Sequence, residues 1–157
     1  MKSILLSFKP RWADLIMTGV KIYEYRKRFC NEPVMAYMYV SRPEKKVCGI
    51  LYLDQKIALN DLLLKYRDNE EVRKRVENYM QRNNYMIPIL QVYSTNVISL
   101  EEIQKVLPEF RAPQMYYDLD NNPHLKNFLK ENIRIDDVNG ITNDFGNIDD
   151  QEICRFY

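Results

Sequence analysis

Three charged residues in this 157-residue chain stand close enough to act together: Lys21, Glu24 and Arg26. The run from Lys21 to Arg28 alternates with a period of two, so a strand through it sends Tyr23 and Tyr25 to one face and Glu24, Arg26 and Arg28 to the other. Lys21 enters from the turn before it. Burying an unpaired charge is costly, so the tyrosines are assigned to the core side and the three charges to a cleft open to water or ligand. The plainer alternative is a surface ion pair between Glu24 and Arg26, worth at most about 1 kcal/mol.

Other site chemistries find little material. His124 is the only histidine, which removes Ser-His-Asp, Cys-His and multi-histidine metal arrangements within one chain. Cys30, Cys48 and Cys154 are odd in number, widely spaced and outside any C-x-x-C pair, so they read as reduced packing thiols, with no disulfide framework or zinc site. The 4 glycines form no phosphate-cradling loop, and the acidic tail lacks the spacing of a calcium loop. Neither a metal nor a cofactor is expected. Without an apolar run long enough to span a membrane, or a secretory leader, the expectation is a cytoplasmic protein with no membrane partner.

The elements that must position the charges follow from periodicity. Ser3 to Phe8 reads as an opening strand, ended by Lys9-Pro10, and the apolar positions from Trp12 to Met17 fit a short helix capped at Gly19. After the charged strand, Val34 to Val40 and Val47 to Ile57 form a hairpin across Ser41-Arg42-Pro43. Helical spacing then runs through about residues 60–83, an insert between strands. Ile87 to Ile98 is strand-like, Ser99 to Glu102 is a capping box for a helix to about Leu107, Met115 to Leu119 is a last strand, and Asn122-Pro123 starts a final helix. This β-α-β-β-β-α-α-β-α-β-α order fits an α+β, mostly antiparallel barrel. Residues 1–132 make the domain, and 133–157 an acidic arm, loosely docked or disordered.

Net charge is only +1, yet the charges are segregated. Between Met1 and Arg42 there are eight basic and three acidic residues; from Ile133 to Tyr157 there are two basic and six acidic. The basic half points to an anionic partner.

Gly19, Lys21, Glu24 and Arg26 reproduce the G-x-K-x-x-E-x-R signature of the ASCH domains in the PUA-like superfamily, and the flanking Leu5 to Pro10, Tyr39 to Pro43 and Val47 to Ile50 are similar too. The resemblance covers about the first sixty residues well, and Pro113 to Tyr117 looks like a later element of such domains. It implies a PUA-like five- or six-stranded β-barrel with flanking helices and a helical insert, and a cleft between the first helix and the strands that binds RNA or a modified nucleobase or nucleotide. Arg and Lys would engage phosphates, aromatic faces would stack on bases, and Glu24 would accept from an exocyclic amine. The residues expected at that cleft are Lys9, Arg11, Lys21, Glu24, Arg26, Arg28, Tyr39, Ser41 and Arg42, with Lys27 nearby and Trp12 read as core. Some small members resemble a different answer, an amidohydrolase acting on N4-acetylcytidine through Lys, Thr and Glu. Lys21 matches the first, but Glu24 stands at the threonine position, and beside it Lys21 is expected to stay protonated. Lys21 and Glu24 would carry catalysis in that case. A third reading is a protein-interaction module whose acidic tail meets a partner or covers the chain's own cleft.

Overall fold

The computed structural model describes residues 1–147 and 149–157; Ile148, in the acidic arm, lies outside the described residues. Strand β1 (Lys2–Phe8) is buried along almost its whole length because both its faces are covered. Ile4, Leu6 and Phe8 point into a cluster shared with Ala13 and Ile16 of helix α1 (Pro10–Met17), while Leu5 joins an opposite cluster with Ile103, Leu125 and Leu129. Strand β3 (Val34–Val40) divides the same way: Val34, Ala36, Met38 and Val40 face the first cluster, Tyr37 and Tyr39 the second. A period of two with both faces apolar makes these central strands.

The remaining elements are β2 (Tyr23–Arg26), β4 (Lys46–Leu53), β5 (Ile57–Ala58), α2 (Leu59–Lys65), α3 (Glu70–Met80), β6 (Tyr85–Ser99), α4 (Leu100–Val106), β7 (Tyr116–Asp118), α5 (Pro123–Asn132) and β8 (Ile141–Thr142). The sheet runs β2-β6-β4-β3-β1-β7, with β5 and β8 also on β6, and curls into a half-barrel. Every pairing is antiparallel except β1 with β3. The expected α+β, mostly antiparallel architecture is therefore present. So are the capped helices: Ser99 Oγ accepts from Glu102 N at 3.0 Å, and Asn122 Oδ1 accepts from Leu125 N at 3.2 Å.

Two expectations need correcting and one refining. The strand from Val47 does not run through to Ile57; it stops at Leu53, where Asp54 N donates instead to Pro88 O at 3.0 Å, and Ile57–Ala58 form a separate strand. Tyr23 and Tyr25 are buried, as expected of the core side, but apart from the two clusters of the central strands. They join a third cluster, with Leu59, Leu62, Val72 and Val76 of the helical insert and Ile153 and Cys154 of the arm. The described part of the arm is also docked rather than loose. Its strand β8 pairs with β6, Arg75 donates to the backbone oxygens of Asp150 and Ile153, and Tyr79 Oη donates to Arg155 O. The arm is sparse in apolar residues, but the few it has find a ready-made apolar face on β2 and α3.

Candidate nucleic-acid interface

Helix α1 ends in a left-handed turn at Gly19 (φ +77°), where a side chain would be strained, and the amides of Val20 and Lys21 both donate back to Leu15 O. That turn aims Lys21 along the edge of β2. Strand β2 then pairs with β6 from Tyr23 opposite Pro88 to Arg26 opposite Tyr85, and presents Glu24 between the two cations.

Lys21 is only 4 % exposed and Glu24 only 6 %, so neither a surface ion pair nor an open carboxylate describes them. Glu24 is fully engaged. Its Oε1 accepts from Tyr25 N at 3.0 Å and lies 3.5 Å from Lys21 Nζ; its Oε2 takes Arg26 Nη2 at 2.8 Å and Nε at 3.2 Å. Arg26 Nη2 also donates to Ser7 O on β1 at 2.8 Å, which ties the group across to the far strands. Three hydrogen bonds leave Glu24 little free acceptor capacity, and it holds Lys21 and Arg26 in place, while Lys21 Nζ donates to Tyr23 O at 2.5 Å. Burial alone would raise its pKa, but the Arg26 and Lys21 charges outweigh that and bring it below the ordinary carboxylate value.

Lys21 is enclosed by aromatic rings as well as paired with Glu24. Its Nζ lies 4.8 Å from the Tyr25 ring centre, 5.5 Å from Tyr157 and 5.7 Å from Trp12, within cation–π range of all three. Burial pulls its pKa below the usual lysine value and prevails over the opposing charge of Glu24. The sequence displays the carboxylate partner, beside which Lys21 is expected to stay protonated, but not the aromatic enclosure that adds a burial penalty opposing it.

Two adjoining cavities open beside this triad, of about 790 Å³ and about 610 Å³. Of the expected residues, Lys9, Glu24, Arg26, Tyr39, Ser41 and Arg42 line the larger, and Lys9, Lys21 and Glu24 the smaller. Arg11 and Arg28 line neither, and nor does Lys27. Arg28 is exposed elsewhere, and Arg11 turns away to donate to the Tyr157 backbone oxygen at 2.5 Å. Tyr39 is 2 % exposed, its ring held in the second cluster, so it forms wall and offers no free face for stacking. Trp12, expected in the core, is half-buried and borders both cavities. Among the described residues none from the arm lines either one, so the described arm buttresses Lys21 from behind.

Sequence reasoning missed Lys45 of the β3–β4 turn and Arg111 of the loop before β7, both at the larger cavity, and Arg82 after α3 at the smaller one. Arg111 sits inside the Pro108–Pro113 loop, and Arg82 just ahead of the strand that pairs with β2; only the sheet register brings them to the cleft. Together the cavities are lined, among the described residues, by seven cations and one carboxylate. Among the described residues, Lys9, Arg42, Lys45, Arg82 and Arg111 make no ion pair. Such a concentration in a nearly neutral chain marks the cleft for an anion. Among the described residues no cluster of His, Cys, Asp or Glu could hold a metal ion, and no helix is long and apolar enough to cross a membrane.

No family model matches the chain. It is similar to an ASCH domain-containing ribonuclease of Zymomonas mobilis subsp. mobilis, 25 % identical over 128 residues that cover 72 % of this chain and 81 % of that protein. The fold is shared with crystal structures of the ASCH protein from Zymomonas mobilis. A serine-to-alanine variant superposes with a TM-score of 0.65 at 21 % identity, covering 85 % of this chain and 97 % of that one. The unsubstituted protein gives 0.64 at 21 % identity, covering 85 % and 96 %.

Proposed function

From the premise that the chain carries an ASCH domain, we propose that it binds RNA in the basic cleft between α1 and the sheet. The observation that carries the reading is a set of five cations that, among the described residues, make no ion pair, around a cleft whose one described carboxylate is already neutralised. Phosphates supply the charge these residues lack, and Trp12 at the junction of the cavities offers part of an aromatic surface for a base. The relative that is a ribonuclease supports an RNA ligand. Fluorescence anisotropy of a labelled single-stranded RNA across a salt series tests this. The logarithm of affinity falls with the logarithm of salt, by about 0.7 for each phosphate neutralised, and Arg42→Ala and Arg111→Ala each weaken binding. Absent or salt-independent binding rejects the proposal.

The same cleft supports a second reading, RNA cleavage, because Lys21 is held near the cleft with its pKa drawn down by burial, as general acid–base work requires. Incubating end-labelled RNA with the protein and with Lys21→Met decides it: cleavage by the parent that the variant loses supports this reading, and intact RNA in both removes it. Hydrolysis of acetylated cytidine draws less support. Glu24 stands where a threonine would be needed and, among the described residues, no second carboxylate lines either cavity. Release of cytidine from N4-acetylcytidine by the purified protein would reverse that judgement.

A further inference from the structure

The two cavities share one wall, made of Lys9, Trp12, Glu24 and Tyr25. Beyond that wall the smaller cavity is closed by the end of the helical insert, through Asn78, Tyr79, Gln81, Arg82 and Asn83. These five residues bring one cation, three amide side chains and an aromatic ring, and no acid. The negative end of α3 is blunted there, because Tyr79 O already accepts from the amides of Arg82 and Asn83 and from the Asn83 side chain. The turn is also pinned to the triad. Asn84 N donates to Arg26 O at 3.1 Å, Asn84 Nδ2 donates to Lys27 O at 3.0 Å, and Tyr79 stacks on Tyr25 with ring centres 4.3 Å apart and planes 6° apart. Arg82 is exposed, makes no ion pair among the described residues, and stands on a fixed platform facing a cleft. Each cavity falls in the roughly 300–1,000 Å³ range that holds a small-molecule-sized group.

We propose that the insert builds a second nucleotide subsite. The larger lobe takes one nucleotide, the lobe under Arg82 takes its neighbour, and the ligand class is single-stranded RNA of two or more linked nucleotides rather than a free base or mononucleotide. This rests on the RNA-binding reading and extends it past the signature residues, to a segment that lies outside the resemblance from which that reading began. The geometry argues for linkage, since the lobes meet at Lys9 and Trp12 and a phosphate bridging them passes the Lys9 ammonium. Asn78, Gln81 and Asn83 offer donors and acceptors suited to base edges, and Arg82 a phosphate contact.

The test compares uridine monophosphate with mixed-sequence RNA of two, four and eight nucleotides, by calorimetry or competition, on the intact chain and on Arg82→Ala, Arg82→Glu and Arg42→Ala. For the parent, affinity rises steeply from one nucleotide to two and then levels. Arg82→Ala weakens the tetranucleotide roughly tenfold and lowers its salt slope by about 0.7, the share of one phosphate contact, while the monophosphate is unaffected. Arg82→Glu weakens the tetranucleotide further, and Arg42→Ala weakens both ligands. Arg82 is exposed, so these variants fold. A tetranucleotide bound equally by parent and Arg82→Ala overturns the second subsite and leaves the RNA reading standing, as does equal weakening of monophosphate and tetranucleotide. Failure of the parent to bind any of these RNAs overturns both.

Discussion

Glu24 is the residue on which the site turns, though it touches no ligand in the proposal. It is a buried carboxylate that neutralises Lys21 and Arg26, and removing one partner of a buried ion pair is far more damaging than never having built it. Glu24→Gln is expected to cost about 3–5 kcal/mol near neutral pH, read from urea unfolding. The pH dependence has a definite sign. Because folding lowers the pKa of Glu24 below its ordinary 4.5, its stabilisation is complete above that value and is lost as pH falls through the lower folded value. The gap between parent and variant therefore narrows in acid, and a gap that stays constant down to strongly acidic pH contradicts the pairing. Cys154 behaves in the opposite way to a reactive thiol. Burial pushes it up to about 12, so it is expected to resist alkylation at neutral pH until the arm is released.

At the scale of elements, the turn after α1 sets the lysine. Gly19→Ala places a side chain at φ +77°, and about 1–2 kcal/mol of destabilisation is expected by thermal unfolding, together with weaker RNA binding as Lys21 shifts. The local elements were legible because their signals are local: Pro10 starting α1, Ser99 and Asn122 capping α4 and α5, and the period of two in β1 and β3. The signature strand was legible as a strand for the same reason. Its surroundings were not, because β2 leaves its neighbours in sequence and pairs with β6. That pairing delivers Arg82 to the cleft, while the rings enclosing Lys21 come from α1, from β2 itself and from the arm. Alternation tells which side chains share a face; it does not tell which face meets water.

Over the whole molecule, the arm and the insert work as one support behind the triad. Tyr79, Arg75 and Tyr25 all bond to residues of the arm, and Ile153 and Cys154 are buried against them. Deleting 153–157 is expected to lower the melting midpoint by about 4–8 °C, at 2–4 °C per kcal/mol for a chain of this size, without tightening RNA binding. Tighter binding after the deletion would mean that the arm covers the cleft. The place of β2 in the sheet has a last consequence, in time rather than in space. As the chain leaves the ribosome, Lys21, Glu24 and Arg26 emerge early, yet the strand that shelters them begins at Tyr85 and pairs Tyr23 with Pro88. Until that loop closes, β2 has no sheet partner, and the aromatic enclosure of the lysine waits further, for Tyr157 at the far end of the arm. A contact so distant in sequence is costly in loop-closure entropy, so the binding site cannot be complete until most of the chain has been made.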